Sequence, residues 1–305
     1  MRVVFGCLPS AHIYPNRDTA PQARLQCINS PNLHKRDRLT VMHPRIIAIA
    51  NQKGGVGKTT TTVNLAHAFL SQGKRVLVID LDPQASLSIS LGLDPTQLKA
   101  LEDANQTIYY ALVKSRPLAG MIVPHASIGH PDLVPASIRL SAAEAEMLSP
   151  YGVAHVLRDR LDDLSTPYDV ILIDCPPTLG ILTVNGLSAA GEVLIPAKTD
   201  LLSIMGVPLL LDTIENIRRR ANPELRILGI LPTLYHPRNT HDKEVLDELT
   251  ATMAVQAITV FEPIHHSTAF DKAVAEGRAA LELWPQTPGV QSYKRIVEHT
   301  YGAKI

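Results

Sequence analysis

From residue 45 onward, short apolar runs rich in Val, Ile and Leu alternate with longer helix-like stretches. Six runs, 46–50, 76–80, 170–174, 193–196, 227–231 and 258–261, have the length and near-continuous apolar character of strands buried on both faces of a parallel sheet. Between them, 60–72, 141–148, 152–164, 206–221, 242–253 and 268–276 read as helices. Strand–helix alternation predicts an α/β fold, a doubly wound, mostly parallel sheet with helices on both faces, in one domain over residues 44–305. Residues 93–135 give no clear assignment.

Residues 1–43 break this pattern. They mix Pro, Asn, His, Arg and Gln without a period, and over 1–41 Lys and Arg outnumber Asp and Glu. Such a segment reads as an N-terminal extension without fixed structure. Two alternatives stay open: translation beginning at Met42, or a basic arm that touches DNA or a partner. It is too short and irregular for a helix-turn-helix. The apolar run at Val3-Val4-Phe5 is too short for a signal peptide, and Pro9 cuts it off. No stretch is long and apolar enough to span a bilayer, so a cytoplasmic protein is expected.

The net charge is zero, so any nucleic-acid binding has to come from a local patch. Aromatics at 4% argue against a stacking platform for single strands. Cys7, Cys27 and Cys175 form no CxxC, and no His/Cys cluster stands at metal spacing. His236, His241, His265 and His266 are therefore read as surface or core residues.

The chemistry follows the first strand. Run 46–50 leads into Asn51-Gln52-Lys53-Gly54-Gly55-Val56-Gly57-Lys58-Thr59-Thr60, and a helix follows. Glycines let successive N–H groups face phosphates, and the helix N-terminus adds its dipole. Lys58 would reach the β- and γ-phosphates, and the Thr59 hydroxyl would ligate Mg²⁺. Gln52 stands where the general phosphate-loop pattern has its first glycine, and a second lysine, Lys53, stands beside it. Two further segments end predicted strands: Asp80-Leu81-Asp82-Pro83-Gln84 and Asp174-Cys175-Pro176-Pro177. Strand C-termini are where ligands bind in open α/β sheets.

These three segments resemble the deviant Walker A, D-x-D-P-Q and Walker B motifs of the ParA/MinD family of P-loop ATPases. The resemblance covers about residues 44 to 303 and is strongest to Soj/ParA-type partition ATPases. It implies a homodimer sandwiching two ATP molecules, with Mg²⁺, and slow hydrolysis stimulated by a centromere-binding ParB-like partner. The ATP-binding set would be Lys53, Gly54, Gly55, Val56, Gly57, Lys58, Thr59 and Thr60. Lys53 would reach the partner's nucleotide, Gly54 would lie at the close-packed interface, and Thr60 would hold the α-phosphate. Asp82 would orient the attacking water, and Asp80 and Asp174 would support Mg²⁺.

The family also implies sequence-independent binding of double-stranded DNA by the ATP-bound form. Arg218 and Arg238 would match its DNA-contacting arginines, with Arg219 and Arg220 beside them and Lys272 and Arg278 as further candidates. Dipole complementarity at a helix end remains the alternative for the arginine run. Two other functions stay open, a ParA-like ATPase that positions a protein cargo and a MinD-like membrane-cycling ATPase. The C-terminal pattern of Tyr293, Ile296, Val297 and Tyr301 suits packing on the body better than insertion in a bilayer. An iron–sulfur reductase is excluded by ligand count, since the body carries one cysteine.

Overall fold

Alternate residues of each central strand face opposite ways, and this sets the layers. Ala48, Leu77, Ile79, Ile171 and Ile173 point into one core, and Ile47, Ile49, Val76, Val78 and Leu172 into the other. The computed structural model describes residues 43–125, 129–147, 153–165 and 167–301. The chain divides into Met1–Val41 and Met42–Ile305, and every described residue belongs to the second unit. Residues 1–42 of the N-terminal extension, with Cys7 and Cys27, lie outside the described residues.

Six strands are described, β1 (Arg45–Ile49), β2 (Val76–Asp80), β3 (Asp132–Val134), β4 (Val170–Asp174), β5 (Glu192–Lys198) and β6 (Arg226–Thr233). They form one all-parallel sheet in the order β3-β2-β4-β1-β5-β6. The α-helices are α1 (Lys58–Leu70), α2 (Ser86–Ser90), α3 (Pro95–Asp103), α4 (Ile108–Leu112), α5 (Ala143–Glu146), α6 (Val156–Asp162), α7 (Ile181–Ala189), α8 (Leu201–Arg220), α9 (Thr240–Val255), α10 (Ala269–Ala275), α11 (Ala280–Leu283) and α12 (Ser292–Tyr301). Helices α7 and α8 cover one face through Leu187, Val207, Leu210 and Ile214. Helices α1 and α12 cover the other through Leu65, Phe69, Tyr293 and Ile296. The doubly wound expectation is met.

Two strand assignments differ from expectation. Run 258–261 makes one parallel bridge, Val260 with Ile230, and no further ladder. The Ile230 N–H donates to Thr259 O at 2.8 Å, and the Phe261 N–H donates to Ile230 O at 2.9 Å. The next donors in that register would be Pro232 and Pro263, and neither has an N–H. Strand β3 lies in the stretch that gave no assignment. It is three residues long and bounded by Pro131 and Pro135, too short to show a period.

Helix boundaries also moved. The expected helix 141–148 becomes a 3-10 turn at Ile138–Ala142 followed by α5, and 148–152 lie outside the described residues. Helix α8 begins five residues before the expected 206. Asp200 caps it by accepting the Ser203 N–H at 2.8 Å, and the helix runs through Pro208.

Helix α12 packs on the body. Tyr293, Ile296 and Val297 are buried, and Tyr301 meets Phe69 edge-on. Among the described residues, no helix is long and apolar enough to cross a membrane.

Candidate active site

Strand β1 occupies the interior of the sheet between β4 and β5, so the loop after it opens beside the ends of both neighbours. Chain direction across the sheet reverses here, the position where open α/β sheets hold their ligands. The loop curls because Gly55 and Gly57 take left-handed φ of +69° and +83°, which side chains strain against. Gly57 also ends the loop as the N-cap of α1 and offers no side-chain cap. The first N–H groups of a 13-residue helix therefore face the loop without a side-chain partner at the cap. The Thr233 hydroxyl, at the end of β6, donates to Val56 O at 2.8 Å and pins the loop from the far side.

Lys58 is almost wholly buried, and its Nζ donates across the loop to Lys53 O at 3.0 Å. Burial lowers its pKa, opposed by the negative charge of Asp174 and Asp82. A buried ammonium on one carbonyl has donors to spare for an anion.

Asp174 ends β4 beside the first turn of α1. It accepts the Thr59 hydroxyl at 2.7 Å and the Thr62 hydroxyl at 3.3 Å. Burial first, then repulsion from Asp80, pushes its pKa up to about 8. Two hard oxygen donors, a hydroxyl and a carboxylate short of positive charge, fit Mg²⁺.

Asp80 is placed differently. It is fully buried, and its oxygens accept the Asp82 N–H at 3.0 Å, the Ser88 N–H at 2.9 Å and the Ser88 hydroxyl at 2.7 Å. Burial raises its pKa to about 6 despite these bonds. This geometry braces the 80–88 segment. Asp82, half-buried on that braced loop, accepts the Gln84 N–H with Oδ1. Its Oδ2 has no hydrogen-bond partner among the described residues.

Lys53 lies in its own chain. Its Nζ contacts Asp200 Oδ1 at 2.8 Å and the Ser203 hydroxyl at 2.9 Å, at the start of α8. Lys198 stands 3.3 Å from the same carboxylate. The neighbouring Gln52 amide donates to Gly206 O at 3.2 Å, so α8 and the phosphate loop are joined twice.

Comparison with known proteins fits this geometry. A family model described as an AAA domain matches residues 44–227. The chromosome partitioning protein ParA of Myxococcus xanthus is 38% identical over 82% of this chain and 85% of that protein. The chromosome-partitioning ATPase Soj of Thermus thermophilus is 36% identical over 83% of this chain and 94% of that protein. The chain belongs to the ParA/Soj family of partition ATPases. A crystal structure described as cobyrinic acid a,c-diamide synthase from Mycobacterium smegmatis with bound ADP and magnesium is 34% identical. It superposes with a TM-score of 0.71 over 86% of this chain and 97% of that one. The protein is thus a P-loop ATPase.

The family resemblance places arginines on DNA, and the structure separates them. Arg218 donates from Nε to Leu225 O at 2.7 Å and stands 3.5 Å from Glu215. Arg219 also pairs with Glu215, at 3.1 Å, while Arg220 is exposed. These three lie where β6 starts. Arg238, exposed and without an ion pair among the described residues, lies beyond the end of β6. An eight-residue strand puts about 25 Å between the two places, so they do not form one patch.

Sequence reasoning missed Asn51, Asp200, Ser203, Thr233 and Ser88. Asn51 is buried and holds the loop from within, donating to Pro196 O at 2.7 Å and accepting the Lys53 N–H at 3.0 Å. Asp200 carried a usable signal, a carboxylate just past a strand end, as Asp80 and Asp174 are at theirs.

Proposed function

We propose that this ATPase, with ATP and Mg²⁺ as its cofactors, dimerises around ATP, binds duplex DNA without sequence preference in that state, and hydrolyses slowly until a centromere-binding partner stimulates it. The observation that carries the nucleotide part is the convergence of Lys58, Thr59, Asp174 and Asp82 on one phosphate loop. Thr59 and Asp174 would hold Mg²⁺, which would neutralise charge on the transferring phosphoryl group. Lys58 would bind the β- and γ-phosphates, and Asp82 would orient water on the γ side. The DNA part rests on the family and on exposed Arg219, Arg220 and Arg238. The expected location is cytoplasmic and nucleoid-associated, and positioning of a protein cargo by the same engine is the alternative.

Dimerisation would move Lys53 from Asp200 to the partner's nucleotide, with Lys198 left to balance that carboxylate. Gly54 tests the arrangement. A Cβ built on Gly54 meets nothing within 4 Å, so the single chain tolerates a side chain there. Gly54→Val is therefore expected to bind ATP like the parent and to stay monomeric by light scattering. A parental ATP-dependent dimer in this variant would remove the sandwich.

DNA binding is expected with ATP, and not with ADP or without nucleotide, to any duplex, with affinity falling steeply as salt rises. Arg238→Ala should weaken it uniformly across sequences and shrink the salt slope by roughly one to two units per dimer. Arg218→Ala should change the slope less, because Leu225 O and Glu215 already hold that guanidinium. A salt titration of both variants decides. No DNA binding by the parent would favour the protein cargo.

A further inference from the structure

Helix α9 opens on a buried carboxylate that neither the nucleotide site nor the helix cap explains. Asn239 already caps α9, accepting the His241 N–H at 3.0 Å. Asp242, in the first turn, is 6% exposed and forms no ion pair among the described residues. Burying a carboxylate is costly unless its oxygens are hydrogen-bonded, and a capped helix has no need of one. The oxygens of Asp242 are taken up by donors from three segments. Oδ2 accepts the Thr199 hydroxyl at 3.1 Å, just past the end of β5, and the His236 N–H at 2.8 Å, just past the end of β6. Oδ1 accepts the Asn239 amide at 2.7 Å.

Of these donors, Thr199 leads to the phosphate loop, and it does so by two routes. Its N–H donates to Thr233 O at 3.3 Å, and the Thr233 hydroxyl donates to Val56 O at 2.8 Å. Its neighbour Asp200 holds the Lys53 ammonium at 2.8 Å. The loop is therefore gripped at Lys53 and at Val56 from one dipeptide, 199–200, and Asp242 ties that dipeptide to α9. Thr199, Thr233 and Asp242 are all buried, so water does not replace a bond lost from this chain of contacts.

We propose that Asp242 is a positioning residue for ATP hydrolysis, setting the phosphate loop through Thr199 without touching the nucleotide. A loop that binds phosphates through its backbone N–H groups depends on where its chain is held. A misplacement of about 1 Å, caused by a change far from the chemistry, can cost roughly 100-fold in rate. This role rests on the phosphate-loop reading above and needs neither a dimer nor DNA. It also accounts for the carboxylate. A single acceptor would serve one donor, whereas two oxygens join the end of β5, the chain after β6 and the start of α9 at one point.

The test measures Mg²⁺-ATP affinity by titration calorimetry, and phosphate release in a single turnover, for the parent, Asp242→Ala, Thr199→Val, Thr199→Ser and the double variant of the first two. Thr199→Val keeps the side-chain shape and removes the hydroxyl, so it cuts the link and leaves Asp242 its other two donors. Thr199→Val and Asp242→Ala are each expected to weaken ATP binding and slow phosphate release by on the order of 10-fold. Thr199→Ser should match the parent, and the double variant should lose no more than Asp242→Ala alone. Leu249→Ala is the contrast, since it truncates the buried face of α9 outside these bonds. It should lower the melting temperature and leave both nucleotide readouts at the parental level. Parental readouts in Thr199→Val would overturn the role, and that variant decides the matter if Asp242→Ala does not fold. Additive losses in the double variant would place the two residues on separate paths and overturn it as well. Equal losses in Leu249→Ala would do the same, by giving the effect to a loosened α9. Parental ATP affinity in Lys58→Ala would instead remove the phosphate-loop reading, and this role with it.

Discussion

Lys58→Ala is expected to bind ATP roughly 100-fold more weakly than the parent, the loss of a charge-assisted bond made in a dry site. Lys58 Nζ lies 3.0 Å from the carbonyl of Lys53, almost out of water, so its charge is undamped where phosphates would enter. Truncation leaves that opening lined by Asp82 and Asp174, and carboxylates repel a polyanion. Titration calorimetry with Mg²⁺-ATP reads the effect directly. Thermal melting gives a second measure, because a ligand that binds the folded state raises its melting temperature by mass action, and this variant should lose that rise. Lys53→Ala is the internal contrast. Its ammonium lies on Asp200 and Ser203, so monomeric ATP binding should survive while assembly fails. An unchanged affinity for Lys58→Ala would remove this lysine from the phosphate site.

The central strands were legible because burial on both faces leaves little choice but Val, Ile and Leu. Runs 76–80 and 170–174 match β2 and β4 residue for residue, each ending on an aspartate, Asp80 or Asp174. The sheet edges were harder to read. Strand β3 is held at its first residue by polar contacts, Asp132 accepting the Tyr168 hydroxyl at 2.7 Å, and such a contact leaves no period in the chain. Run 258–261 had the right composition, yet Pro232 and Pro263 remove the donors that would extend it, and one of those prolines lies on the neighbouring strand.

Within the site, the residues that motifs name were legible and the residues that hold them in place were not. Asp80 and Asp82 look equivalent in sequence, two carboxylates one residue apart after a strand. The fold separates them, because β2 ends at Asp80, whose carboxylate turns inward to Ser88, while Asp82 lies past the strand end on the loop. The first turn of α8 escaped notice for a related reason. Gly206 opened the expected helix, whereas in the fold it lies inside α8 and lets the Gln52 amide approach its carbonyl. A residue's contacts across 150 positions of chain cannot be read from its neighbours.

That separation of Asp80 from Asp82 yields the second large effect. Asp82→Ala is expected to bind Mg²⁺-ATP within a few-fold of the parent and to hydrolyse it roughly 100- to 10,000-fold more slowly, the range for loss of a group that acts on the attacking water's proton. The carboxylate is half-buried and spends Oδ1 on the Gln84 N–H, while Oδ2 meets no donor among the described residues, so that oxygen is expected to receive water. Its loop is fixed from below, since Asp80 takes the Asp82 N–H at 3.0 Å and Ser88 through both backbone and hydroxyl. Removing the Asp82 side chain leaves that brace intact, so the folded state and the ATP contacts of Lys58 should persist. With binding kept and turnover lost, the ATP-bound dimer should accumulate, and sizing with ATP should show it long after the parent has returned to monomer. Asp80→Ala should behave oppositely. It strips two buried Ser88 donors and the half-buried Asp82 N–H of their acceptor, a cost of about 1–3 kcal/mol for each buried group left unpaired, and should lower the melting temperature before it changes any chemical step. Single-turnover phosphate release on both variants, beside their melting curves, separates the two roles. An Asp82→Ala protein that releases phosphate at the parental rate would return the water-positioning role to another residue of the loop.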